Sequence, residues 1–445
     1  MRFSRASLWL VCLLASVSLF AQEQDEQPFE EPESQNIRWD VSAEVKAHYR
    51  NSEDNRIPLG IPFPPELIPV GQDNVWFQTV SPGSSFEVSV ATVYLDVELP
   101  RSIFGHVKID FVDLYERNPT STDKTVDLDE AWIQFGPRFE SLEPITGSSF
   151  YALFGKAPKF ERQNDRRLES YGLVSNAFNR FEDIMLQVGG SIGSNFYLRG
   201  QISNGNPIFM RDPNALAGDN GTDPPPNPDP ALNTGFPIFY HAEVEEFGFG
   251  KDPEYGIGAG FQWVTAEQDA GVEVLAFYYR TKLDETVKLR GTFYGGDLDL
   301  LDGAGVPLPI EGDDRSEYGF NADFEIGGFG AFLQYVHEEL ATLPRDGFEV
   351  ELGYSFLSGD PGDPTSLFPI IQPAFRFSRL NADFVAPPLS VAKSHGWDWD
   401  KYDIGARLTI IQHLDLTLEY SIVKIKTPTM DVNNNEFLTT LRLWL

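Results

Sequence analysis

Cysteine is almost missing from this chain. Cys12 is the only one in 445 residues. It lies inside an apolar N-terminal run, so disulfides cannot brace the rest of the chain. Long apolar runs are missing too. After Phe20 no stretch is long enough to cross a bilayer as a helix, so any crossing has to be made by strands. Positive charge is scarce: 34 Lys and Arg stand against 67 Asp and Glu, a net charge of −33. That balance argues against a nucleic-acid partner, because phosphate backbones select basic surfaces. The six histidines form no His-Glu-x-x-His pair, and the Gly-x-Ser-x-Gly match at Gly189-Gly-Ser191-Ile-Gly193 falls between two candidate strands rather than before a helix. Neither a zinc hydrolase nor a serine nucleophile elbow is legible, and no metal or other cofactor is expected.

What is present is a repeated two-faced pattern. Residues 1–21 carry Arg2 and Arg5, an apolar run from Leu8 to Phe20, and Ala21 at a suitable cleavage point. They are expected to be a secretory signal peptide. Residues 22–36 are acidic and contain proline, and are expected to be a disordered lead segment. From Ile37 onward the chain alternates. Ile37, Trp39, Val41, Ala43, Val45, Ala47 and Tyr49 are apolar or small, while Arg38, Asp40, Ser42, Glu44, Lys46 and His48 separate them. One face of such a strand is greasy and the other ionic.

The same alternation marks candidate strands at 37–50, 86–99, 105–115, 126–135, 150–157, 183–191, 195–204, 237–246, 254–265, 271–282, 286–294, 316–326, 329–339, 346–356, 370–380, 401–411, 414–424 and 436–445. The expected fold is all-β: residues 37–445 form one closed antiparallel transmembrane barrel of about 16–18 strands. Tyr318, Phe320, Phe324, Tyr402, Ile404, Leu416 and Leu418 should face outward. Asn321, Asp323, Glu349, Glu351, Arg407, Thr417 and Glu419 should face inward. A charged inner face requires water, which a barrel of this width can hold. In an eighteen-strand topology two connections break the alternation of long and short: 136–149 is long for a turn, and 266–270 is short for a loop.

One segment reverses the acidic balance. Lys156, Lys159, Arg162, Arg166, Arg167 and Arg180 fall between Phe150 and Arg180, with only Glu161, Asp165 and Glu169 against them. Most of the segment should be the third long loop. If it folds inward, Lys156, Lys159, Arg162, Arg166 and Arg167 form a constriction that attracts anions. Arg199, Arg376 and Arg407 are the candidate charges of the pore wall. Two other motifs read as connections. Asp431-Val-Asn433-Asn-Asn435 has calcium-loop spacing but lacks the Gly that comes next in such loops. Asp212 to Asp229 is a Gly- and Pro-rich loop.

Several stretches resemble the phosphate-selective porin family of Gram-negative bacteria. They are Phe154-Gly155-Lys156-Ala157-Pro158-Lys159-Phe160-Glu161, Asn204-Gly205 after Gln201, Pro373-Ala-Phe-Arg376-Phe-Ser-Arg379-Leu380-Asn381, and Tyr402-Asp-Ile-Gly405 with Leu416-Thr-Leu-Glu419-Tyr420. The resemblance implies an outer-membrane porin in contact with lipid, a homotrimer passing small hydrophilic solutes or anions such as phosphate. Two alternatives belong to other classes: an outer-membrane barrel enzyme such as a lipid hydrolase, and a soluble secreted glycan-binding β-sandwich.

Overall fold

The structure is a computed structural model. It describes residues 37–53, 57–58, 76–77, 83–113, 126–139, 141–163, 166–178, 182–205, 241–244, 253–282, 287–291, 296–297, 314–340, 343–381, 398–426 and 431–445. The expected signal peptide, the acidic lead segment, Arg180, and Asp212 to Asp229 lie outside the described residues.

Sixteen strands among the described residues build one wall. They are β1 (Arg38–Ser52), β2 (Gly83–Leu99), β3 (Ile103–Asp113), β4 (Asp127–Phe135), β5 (Tyr151–Pro158), β6 (Glu182–Ile192), β7 (Phe196–Ser203) and β8 (Glu254–Val264). Then come β9 (Ala270–Lys282), β10 (Asp314–Ile326), β11 (Phe329–Leu340), β12 (Leu343–Tyr354), β13 (Ile370–Asn381), β14 (Asp398–Ile411), β15 (Leu414–Lys426) and β16 (Glu436–Trp444). Each pairs antiparallel with its neighbour in sequence. The sheet closes because β1 pairs with β2 on one edge and with β16 on the other, Glu44 opposite Trp444 and Ser52 opposite Glu436. Among the described residues, closure leaves this wall no free edge.

The alternation read from the sequence sets the faces. Tyr318, Phe324, Ile404 and Tyr420 are exposed on the outer surface, while Glu349, Glu351, Arg376 and Glu419 are buried on the inner one. A period of two is all that this sorting needs. The connections 100–102, 193–195, 265–269, 327–328 and 412–413 are tight and share one end of the barrel. The opposite end carries most of the long ones. Trp39 and Trp444 both sit near the tight-turn end, where the Trp444 ring meets His413 edge-on at 4.7 Å.

The structure falls at the lower end of the expected 16–18 strands. The described residues of two candidate strands, 237–246 and 286–294, do not join the wall. Their residues His241–Val244 and Val287–Gly291 pair with each other in a separate small sheet. Their alternation is real, but their hydrogen bonds are spent on one another. Removing them puts 265–269 at the tight-turn end and abolishes that anomaly. The connection 136–150 stays long because it does not turn at the rim.

Candidate functional site

Two segments of chain enter the lumen. The first comes after β5. Residues 159–163 and 166–178 run along the inside of the wall and end in the short helix α1 (Leu173–Ala177). Leu173, Val174, Ala177 and Phe178 are fully buried against inward-facing Val336, Leu380, Trp399, Val423 and Ile425. These apolar inner positions lie toward the long-loop end of β11 and β13–β15. They supply the burial that holds a helix too short to stand alone.

Polar contacts fix the rest of the segment. Lys159 Nζ lies 2.5 Å from Glu254 of β8, and 4.7 Å from the centre of the Tyr279 ring. The Glu161 carbonyl accepts from Asn321 Nδ2 at 2.6 Å and Gln334 Nε2 at 3.0 Å. Arg162 pairs with Glu182. The Arg167 N–H donates to Glu351 at 2.8 Å, and its guanidinium lies 3.5 Å from the same carboxylate. Arg407 donates to the Arg166 carbonyl at 2.8 Å, and the Arg166 guanidinium stacks 3.7 Å over Tyr171. Further along, Glu169 pairs with Lys46 of β1 at 3.0 Å. Its burial alone would raise the Glu169 pKa; Lys46 and then Arg407 overcome this and hold it down at about 2.

Ser170 is the deepest anchor. Its Oγ accepts from Arg376 at 2.7 Å and from Lys401 at 2.8 Å, and its N–H donates to Glu419 at 3.2 Å. Arg376 in turn holds Asp403 at 2.8 Å and Glu351 at 3.4 Å. Ser170 beside Lys401 has the form of a nucleophile with its base. Both side chains are buried under the segment, at 1% and 0% exposure, so no substrate reaches them.

The second inward segment is the long connection 136–150. Gly136 turns it inward at φ +95°, where a Cβ would collide with the Phe150 carbonyl. A side chain there is excluded both by space and by backbone geometry. Ser141 donates to Glu273 of β9 at 2.6 Å, and Gln262 of β8 donates to the Glu143 carbonyl. The connection is long because it reaches inward as far as β8 and β9.

Between these segments and the wall of β2–β7 lies a chamber of about 350 Å³. Trp132 stacks on His106 with centroids 5.1 Å apart, and Trp132 Nε1 donates to Glu130 at 3.3 Å. Asp96 contacts His106 at 2.9 Å and Arg138 at 3.5 Å. Arg138 covers the Phe104 ring at 4.5 Å. Arg199 closes another side by donating to the Phe160 carbonyl at 3.0 Å. Nearby, Asp129, Glu130 and Glu182 bring carboxylate oxygens within 4.8 Å of one another. Lys108 and Arg162 already neutralise two of these acids.

The basic residues singled out in the sequence therefore divide. Lys159, Arg162, Arg166 and Arg167 gather inside the barrel, and Arg199, Arg376 and Arg407 are inward on the wall. Lys156 does not join them. It shares the outward side of β5 with exposed Phe154 and donates to the Leu128 carbonyl at 2.8 Å. Strand parity, counted forward two residues from Phe154, puts it there. Of the acids that hold the loop, Glu351 and Glu419 were legible only as inward wall residues, and Glu254 was missed. The chamber residues Asp96, Trp132 and Arg138 were missed. Inward parity on β2 and β4 was the available signal for the first two.

No protein-family model matches the sequence, and no curated protein matches it. Solved structures do match by shape. The outer membrane channel DcaP of Acinetobacter baumannii superposes with a TM-score of 0.50 at 10% identity, over 94% of this chain and 100% of that one. OprB of Pseudomonas putida gives a TM-score of 0.50 at 11% identity, over 92% of this chain and 94% of the other. At such identity the likeness is one of fold: this chain is a closed sixteen-stranded antiparallel β-barrel with the architecture of outer-membrane barrels.

Proposed function

We propose that the protein is an outer-membrane porin, a passive diffusion channel for small hydrophilic solutes. One observation carries the reading. The outer wall is a belt of exposed apolar and aromatic side chains, while the inner wall is ionic and partly filled by an inward loop. Apolar strand faces fit lipid, and an ionic inner face fits water. Transport needs no cofactor or chemical step, because lumen width and lining charge decide what passes. Export through a signal peptide cleaved near Ala21 belongs to the same reading. So does the homotrimer implied by the porin resemblance.

The finer reading, selection of anions such as phosphate, has less charge behind it than the sequence suggested. Lys159, Arg162 and Arg167 each meet a carboxylate, in Glu254, Glu182 and Glu351. A paired cation contributes little net field to a passing ion. Planar-bilayer recording tests the function. Purified protein should insert in discrete conductance steps in KCl, and migrate differently on gels before and after boiling. Absence of steps from folded protein would refute the channel. The reversal potential in a salt gradient then reads the ion preference, and chemical crosslinking reads the trimer.

A further inference from the structure

We propose that the chamber beside β2–β7 is a binding site for a neutral, ring-shaped polyol, a pyranose sugar. The inference rests on the channel reading and names the solute class that its lumen fits. At about 350 Å³ the chamber is of ligand-pocket size. Its lining combines aromatic surfaces, Trp132 and Phe139, with planar polar groups, Asp96, Glu130 and Arg138.

The electrostatics narrow the class. Asp96 is in contact with both His106 and Arg138, at 2.9 and 3.5 Å. Lys159 is spent on Glu254, and the remaining lining acids, Asp96 and Glu130, balance the arginines Arg138 and Arg199, so a simple ion gains little by entering. A zwitterion meets charges that already face opposite partners, so it gains less from them than from free ones. A purely apolar solute would cover carboxylate and guanidinium without bonding to them, which is costly. Hydroxyl groups escape all three penalties. Each both donates and accepts, so a diol can donate to Asp96 and accept from Arg138 while their contact persists. A pyranose also offers a C–H face to an aromatic ring, which an open-chain polyol lacks. Asp96 and Arg138 keep about a third of their side-chain surface exposed, at 35% and 34%, so they remain reachable.

The test is current block in planar bilayers. D-glucose should reduce the conductance in a saturable way. Mannitol, with similar hydroxyls and no ring, should block far less, and so should L-alanine, a zwitterion. Trp132→Ala should raise the half-blocking glucose concentration about tenfold, the scale of a lost aromatic contact. Trp132→Phe should restore most of the block, and Asp96→Asn should weaken it while preserving shape. Gel mobility before boiling verifies that each variant is folded. Equal block by glucose, mannitol and alanine would overturn the site, as would an unchanged half-blocking concentration in folded Trp132→Ala. If the wild-type protein never conducts, the channel reading fails by itself. Calorimetric titration of detergent-folded protein with glucose then decides the chamber, and no saturable heat overturns it.

Discussion

Arg376 offers the sharpest test of how the inward loop is held. Its guanidinium is wholly buried and touches Asp403 at 2.8 Å, Glu351 at 3.4 Å and the Ser170 hydroxyl at 2.7 Å. Arg376→Met keeps similar bulk but removes the cation. Lys401 still faces Asp403 at 3.1 Å and Arg167 still faces Glu351 at 3.5 Å, but the buried acids Glu351, Asp403 and Glu419 are then left to share these two cations. Removing one partner of a buried ion pair costs about 3–5 kcal/mol. Loss of the hydrogen bond to Ser170 overlaps with that cost, because the groups act as one network. The variant should unfold at lower denaturant in detergent by the equivalent of about 3–5 kcal/mol. Single-channel conductance should rise as residues near Ser170 leave the wall. Arg379→Met is the control: its pair with Asp400 at 2.6 Å is partly exposed, and its loss should cost no more than about 1 kcal/mol. If Arg376→Met matches wild type in both stability and conductance, the buried network does not hold the loop.

The same geometry fixes other outcomes. The Glu169 pKa is held at about 2 rather than the ordinary 4.5. Its pairing therefore contributes fully above pH 4.5 and is lost as pH falls through 2, a span worth about 3 kcal/mol. Conductance should accordingly show no Glu169-linked step between pH 5 and 7, and Glu169→Gln should loosen the loop even at neutral pH, read as a higher conductance. Lys156→Glu should leave the reversal potential unchanged because the residue faces outward, whereas Arg167→Glu should shift it toward cations. Gly155 sits at φ +140°, where a Cβ would collide with the Ala131 carbonyl. Gly155→Val should abolish the folded band on unboiled gels.

Much of the barrel was legible because strand faces obey a two-residue period. Glu349, Glu351, Thr417 and Glu419 were assigned inward from alternation alone, and they are buried there. Alternation does not say which strand pairs with which. His241–Val244 and Val287–Gly291 alternate as wall strands do, yet they bond to each other. The candidate site was only partly readable. A cluster of basic residues is visible in sequence, but its neutralising acids lie far along the chain: Glu254 for Lys159 and Glu351 for Arg167. Pairings across a lumen depend on closure and leave no local signature. The inward reach of residues 141–143 to β8 and β9 was seen only as an anomalous length.

The tip of the inward loop touches both sides of the line where the wall closes. Glu169 reaches Lys46 on β1, while its own N–H and that of Ser170 bind Glu419 on β15, with β16 between them. The loop is thus an internal clasp across the seam. Sideways parting of the first and last strands would tear these bonds as well as the ladder. Threading of the plug and sealing of the cylinder should consequently be one cooperative event, and the lumen stays shut sideways between β1 and β16 for as long as the clasp holds.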